Sequence, residues 1–522
     1  MAKTRESIQE KHLNRQIEFI RDSDSAAVHQ VIVRMRTSDQ DDVTFMQTVA
    51  EAMLRRGLST SARDVLPPPK ESLKAKDQGG RRRPSVVQGS LTATGRQWKP
   101  LTTTEELRAA GLKTLEPLIE SDVVREGIRS VANAAEGKKG RPKRGAAGPT
   151  KFWTSSSAVV QVRDEDLKTL ISSVPNIADV LPNRRLFVPP VVVPKQVPRV
   201  VEDNQVSVWG VRRIGALEVW GAFDRRGEDI MVGLLDTGVD ANHPDLKGKV
   251  ALWAEFDQKG KEVNGSKPRD SDKHGTHCAG TIVGGNASGS WIGVAPHAKL
   301  AAAMVLNGEE GGTDAQVLAG MQWAIDNRVD VISMSLGGIV WGPETPPIYT
   351  TTIWNALKVG IPVVTAIGNE GNETSGSPGN DFLALAVGAT DYLDRAAGFS
   401  GGRTQVIRES RLFRPEMLPL VYSKPDLSAP GVAVYSSVPK GKWEAFNGTS
   451  MATPHVAGAI ALLLSATKIK TAVAPNQKAF VIQDLLTGSA EEMGEAGQNH
   501  RFGFGRIDIL RAIGFAGELG YV

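Results

Sequence analysis

Three polar residues stand at the borders of apolar stretches, in settings where nucleophilic chemistry is possible. Ser450 lies in Asn447-Gly448-Thr449-Ser450-Met451-Ala452-Thr453-Pro454-His455-Val456-Ala457-Gly458, where a Gly-Thr turn feeds the apolar run Val456 to Leu464. The pattern places Ser450 at a helix N-terminus, with Pro454 as a first-turn proline that has no N–H to leave unpaired. A hydroxyl there faces unpaired backbone donors and the positive end of the helix dipole, which suits a developing oxyanion; alone, such a serine is an ordinary helix cap. Asp236 ends the apolar run Met231-Val232-Gly233-Leu234-Leu235, just before Thr237-Gly238, and His274 opens His274-Gly275-Thr276-His277-Cys278-Ala279-Gly280. A serine hydroxyl needs a base at neutral pH, and an imidazole base needs a carboxylate to fix its tautomer and balance its charge. All three types are present, each at the edge of an element.

In this order and spacing the stretches resemble the subtilisin-like serine endopeptidases (subtilases), a likeness running from about Gln205 to about Ile513. Chain order Asp, His, Ser separates this family from chymotrypsin-like enzymes and α/β-hydrolases. The resemblance implies catalytic roles for Asp236, His274 and Ser450, with Asn369 in Ala366-Ile367-Gly368-Asn369-Glu370-Gly371 donating to the oxyanion beside the Ser450 N–H. It also implies that Ser335-Leu336-Gly337-Gly338 and Ala366-Ile367-Gly368 bind substrate, through an open strand edge and the walls of a side-chain pocket. The loop from Asn372 to Asn380 would form the pocket floor, with no obvious acidic floor residue. His277 and His455 are read as structural, and Cys278 as a small core residue. The chemistry needs no cofactor. Structural calcium is expected by resemblance at Gln205, Asp245 and Asn286, although Ala287 stands where the family has the loop asparagine. Asp270 and Asp272 read as solvated loop charges.

The catalytic part must be an α/β unit to position these groups. Ile230 to Leu235, Leu300 to Val305, Val329 to Ser335, Pro362 to Ile367 and Leu383 to Val387 are apolar without polar alternation, as in a parallel sheet covered on both faces. Helices fit between them at Thr276 to Val283, Asp314 to Asp326 and Thr350 to Lys358. The expected fold is a subtilisin-like three-layer α/β arrangement over 204–522, in which ligands bind beyond the carboxyl ends of the strands.

Upstream, residues 1–28 read as a polar arm, frayed or helical. A strand from His29 to Arg36, a helix from Asp41 to Arg56, a strand at Ala158 to Val162, a helix at Glu165 to Ser172 and extended chain from Ile177 to Val188 follow. That order is similar to the ferredoxin-like inhibitory propeptide of many subtilases, here a smaller α+β domain over 29–188 interrupted by an insertion at about 58–157 with one helical region from Glu105 to Ala134. The resemblance implies an intramolecular inhibitor whose tail lies in the cleft as a poor substrate, then a Pro- and Val-rich linker at 189–203, with self-cleavage near Asp203 or Asn204. A second insertion, Arg403 to Ser423, has no counterpart in the family and reads as a partner-binding loop or surface decoration.

With 522 residues, 40% hydrophobic and 23% charged, the chain can bury a large core. A net charge of +4 at this size gives no strong field toward nucleic acid or membrane. One cysteine excludes an intrachain disulfide. The start lacks the apolar core of a signal peptide and no uninterrupted apolar run matches a bilayer, so a cytoplasmic protein is expected. Its partners would be protein or peptide substrates, its own N-terminal domain and conceivably a regulatory protein. Two alternatives remain open: a catalytically silent subtilase fold that binds, and a protease released by a partner acting on an N-terminal sensor.

Overall fold

The computed structural model describes residues 8–23, 25–36, 103–136, 148–188, 192–194, 206–339, 348–408 and 419–522. The expected helix from Asp41 to Arg56, most of the 189–203 linker, and Gln205 fall outside them.

The C-terminal region is built on seven parallel strands in the order Leu427–Pro430, Leu385–Thr390, Val363–Ala366, Val331–Met334, Met231–Asp236, Lys299–Met304 and Val250–Glu255. Alternate side chains divide between two apolar layers. Val232 and Leu234 join Cys278, Ile282, Val456, Ile460 and Leu463 under the helices His274–Val283 and Thr449–Ala466. Leu235 and Ile332 join Leu318, Met321, Ile353 and Trp354 under Asp314–Asp326 and Thr350–Lys358. Two covered faces explain why the strands read as continuous apolar runs. The three-layer expectation holds. The flanking strands Val250–Glu255 and Leu427–Pro430 escaped the sequence reading, the first because its outer position leaves Ala251 exposed and its pattern mixed.

Thr449–Ala466 is the one helix among the described residues long and apolar enough to cross a membrane, whereas the sequence reading took only Val456 to Leu464; 89% of it is buried inside the protein, so it is the core helix.

The N-terminal part forms a four-stranded antiparallel sheet in the order Thr150–Phe152, Ser157–Arg163, Val28–Met35, Ile177–Pro182, as expected for a ferredoxin-like unit. Residues Ile8–Ser23, within the arm read as frayed or helical, are an amphipathic helix whose Leu13, Ile17 and Ile20 pack on this sheet with Val31, Val33, Val160 and Val180. Among the described residues the insertion supplies three helices, Thr104–Thr114, Glu116–Ile119 and Asp122–Glu136, in place of the one helical region expected from Glu105 to Ala134, because Pro117 favours a fresh helix start. Leu115, Leu118 and Val124 bury on the same core.

The opposite face of the sheet docks on the C-terminal region. Ile32, Phe152, Trp153 and Val159 share one apolar cluster with Ala315 and Leu318. The Trp153 backbone N–H donates to Gln322 Oε1 at 2.7 Å, and its indole N–H donates to Asp326 Oδ1 at 3.2 Å. Trp153 is 1% exposed. Replacing Trp153 with Ala should therefore cost about 3–5 kcal/mol, the usual range for a buried aromatic. Hydrogen exchange should quicken across Ser157–Arg163 while the seven-stranded sheet stays protected; unchanged exchange would contradict this docking.

Candidate active site

Asp236 and His274 are joined before any substrate arrives. Asp236 is the last residue of its strand, and His274 the first of its helix. His274 Nδ1 lies 2.7 Å from Asp236 Oδ1, with both side chains almost fully buried. A carboxylate only accepts, so Nδ1 carries the proton and, in the neutral ring, Nε2 holds the lone pair. Burial acts to lower the imidazole's pKa, but the Asp236 carboxylate outweighs it and holds the ring well above the usual histidine range. Cys278 Sγ sits 3.9 Å from Nδ1, yet burial pushes that thiol up, so it stays neutral and contributes little charge.

The turn holding the pair is tied by Asp270, which the sequence reading took for a solvated charge. Its Oδ1 accepts from the Thr237 hydroxyl at 2.8 Å, and its Oδ2 accepts from the Thr276 N–H at 2.8 Å and hydroxyl at 2.5 Å. Thr237 Oγ1 in turn accepts from the Gly275 N–H at 2.9 Å. One carboxylate thus staples the end of the Asp236 strand to the start of the His274 helix. A Cβ on Gly275 would stand 2.0 Å from the Gly238 carbonyl, so the approach requires glycine. Asp272, by contrast, is exposed as expected.

Ser450 is the second residue of its helix. Pro454 lies inside that helix and not in its first turn, which corrects the sequence expectation and has a physical consequence. The missing N–H of Pro454 leaves the Ser450 carbonyl without its i+4 donor. That carbonyl instead accepts from Ser335 Oγ at 2.9 Å and Cys278 Sγ at 3.5 Å. The proline therefore ties the Ser450 turn to Ser335 and to the helix of His274. The Ser450 hydroxyl donates at 3.4 Å to the Ser335 carbonyl, and His274 Nε2 is buried with no hydrogen-bond partner. The Ser450–His274 bond is unmade here, a looseness common before substrate tightens a site.

Asn369 follows the strand Val363–Ala366. Its Oδ1 accepts from the Thr449 N–H and hydroxyl, both at 2.8 Å. Two donors identify the oxygen, so the NH2 group points the other way, beside Gly448.

The residues expected to bind substrate also assemble. Ser335 and Leu336 are buried behind the edge, and Gly337 exchanges two backbone hydrogen bonds of 3.2 Å with Phe187. Gly338 pairs with Ser377, and the Ile367 carbonyl accepts from the Gly376 N–H at 2.7 Å, so the pocket walls lock to the loop after Asn372. The second insertion forms a hairpin, Arg403–Ile407 with Leu420–Lys424, that braces this loop through Gln405 Nε2 to Ser375 Oγ and the Tyr422 hydroxyl to the Asn380 carbonyl, both 2.7 Å. The Glu370 side chain turns toward Gly368, a direction not legible in sequence. Its Oε2 is buried without a partner, 2.6 Å from where a Cβ on Gly368 would stand, and burial pushes its carboxyl upward.

His277 and His455 are structural. His277 Nε2 bonds the Val434 carbonyl at 3.0 Å, its ring stacks on Phe446, and burial with the nearby His274 lowers its pKa to about 3. His455 Nδ1 bonds the Met451 carbonyl at 2.8 Å, and burial lowers its pKa to about 4.

Of the residues expected to hold calcium, Gln205 lies outside the described residues. Asp245 Oδ1 accepts from the Ala287 N–H at 2.6 Å and Oδ2 from the Trp443 indole at 2.6 Å, and Asn286 is exposed. Asp236, His274 and Cys278 cluster closely enough to hold a metal, but their hydrogen bonds are those of the pair described above.

Comparison with known proteins agrees with this geometry. The family profile of the subtilases matches residues 227–505. The intracellular serine protease of Paenibacillus polymyxa is 37% identical over 282 residues, which is 52% of this chain and 77% of that protein. Subtilisin E of Bacillus subtilis (strain 168) is 36% identical over 290 residues, 55% of this chain and 66% of its own. The major intracellular serine protease of the same organism is 38% identical over 264 residues, 49% of this chain and 74% of its own. The chain belongs to the subtilase family and is a subtilisin-like serine endopeptidase.

Proposed function

We propose that the protein hydrolyses peptide bonds through an acyl-enzyme on Ser450, and that it is made as a self-inhibited precursor. His274 Nε2 takes the Ser450 proton and later gives it to the leaving amine, while Asp236 holds the ring and balances the imidazolium. The Ser450 N–H and the Asn369 NH2 receive the oxyanion. The observation that carries this reading is the 2.7 Å bond between His274 Nδ1 and Asp236, which leaves Nε2 as the basic nitrogen. Calcium plays no part in the proposal.

Self-inhibition rests on the chain after the N-terminal sheet. Arg185–Leu186 pairs with Gly312–Thr313, Phe187 with Gly337, and Val192 with Asn447, three residues before Ser450. The domain thus lays its own extended tail along the edge that would take substrate, the strand-addition mode of peptide binding. Pro189 and Pro190 lie between these contacts in sequence, and proline offers no N–H to a strand edge. The expected cleavage near Asp203 or Asn204 lies outside the described residues. Relatives named as intracellular proteases support the same compartment for this chain.

A fluorophosphonate probe should label the protein, and Ser450→Ala should abolish labelling; label retained in that variant would refute the assignment. Asn369→Leu should lower kcat by about a hundred- to a thousandfold with little change in KM, the cost of one oxyanion donor. Because activity needs the neutral imidazole and Asp236 raises its pKa, the acidic limb of kcat/KM should lie above the usual histidine range, and Asp236→Asn should move it down. The same shift means that the pair's contribution to stability is full below the ordinary histidine pKa and fades as pH rises through the raised value. Cys278→Ala should leave the limb in place.

A further inference from the structure

The tail is held by more than its backbone. Arg184 reaches a carboxylate that nothing in the proposed chemistry uses: Nε donates to Asp314 Oδ2 at 2.8 Å and Nη2 to Asp314 Oδ1 at 3.1 Å, a two-pronged fork. The Arg184 backbone N–H also donates to Oδ2 at 3.2 Å, and the Arg184 carbonyl accepts from the Asp314 N–H at 3.0 Å. On the far side the Tyr349 hydroxyl donates to Oδ1 at 2.5 Å. The Asp314 side chain is 0% exposed and begins the helix that follows the Gly312–Thr313 edge. A buried carboxylate whose cation is supplied by a removable segment becomes costly once that segment leaves, unless another cation replaces it.

We propose that Asp314, backed by Tyr349, is a specificity site that selects an arginine two residues before the residue paired with Gly312, in protein substrates as in the protein's own tail. The position is defined by the observed register: Leu186 pairs with Gly312, and Arg184 lies two residues earlier on the same side of the strand. Arginine suits the site better than lysine because its planar fork engages both carboxylate oxygens at once. Arg185, between them, is exposed and is not selected. The inference rests on the cleft being a peptide-binding edge, as proposed above, and adds a sequence preference to it.

The test uses the full chain carrying Arg184→Ala, which vacates the carboxylate, and two fluorescein-labelled peptides: one with the sequence of residues 183–188, the other with alanine in place of its first arginine. Fluorescence anisotropy should show the arginine peptide binding about tenfold or more tightly, and the preference should shrink to about twofold when Asp314→Asn is added. Equal affinity of the two peptides for the Arg184→Ala protein would overturn the proposal. Inhibition by the same pair of the unaltered protein once self-processing has released its tail provides a second reading that depends on no variant, with the same ranking expected and equal potency contradicting it. Binding is read without chemistry, so failure here is distinguishable from failure of the protease reading, which Ser450-dependent labelling reports.

Discussion

The structure depends on one buried hydrogen bond, between Asp236 and His274. Removing a carboxylate and an imidazole from water is costly, and the cost is offset only if the two meet with good geometry. Much of the local architecture serves that meeting. The strand delivers Asp236 to the carboxyl end of the sheet, where the chain must turn. The Asp270 carboxylate gathers Thr237 and Thr276, and Gly275 lets the helix approach the turn at a distance no side chain would permit.

Ser450 is brought to this pair by a deliberate gap in a helix. Pro454 withholds the donor that would bind the Ser450 carbonyl, and Ser335 and Cys278 take it instead. The turn with the proposed nucleophile is therefore linked to the substrate edge on one side and to the imidazole's helix on the other. Thr449 does the same for the oxyanion side by fixing the orientation of the Asn369 amide.

Much of this was legible in sequence because the chemistry sits where patterns change. Asp236 and His274 fall at the exact boundaries between apolar runs and turns, and the helices Asp314–Asp326 and Thr350–Lys358 begin and end as their periodicity indicates. What escaped depends on long-range contact. Asp270 reads as a loop charge until Thr237 and Thr276 are placed around it, and Pro454 reads as a first-turn residue because the helix start at Thr449 lacks an apolar signature. Glu370 turns toward Gly368 for reasons no local pattern contains. The Ala287 and Trp443 donors that meet the two Asp245 oxygens are likewise long-range contacts absent from any local pattern. The helix Ile8–Ser23 looked like a polar arm, frayed or helical, because its stripe of Leu13, Ile17 and Ile20 is narrow.

The proposed self-inhibition would extend the same logic to control, since the N-terminal sheet docks on the larger domain and the chain after it pairs with Gly312 and Gly337. All of it presumes that His274 presents a bare Nε2 toward Ser450. Nitrogen NMR of protein labelled in its histidines measures this directly, with His274→Ala used to assign the resonance. At a pH above the ring's titration the account predicts a proton on Nδ1 and none on Nε2. A neutral His274 protonated on Nε2 would contradict it, because that ring could neither bond Asp236 as observed nor take a proton from Ser450.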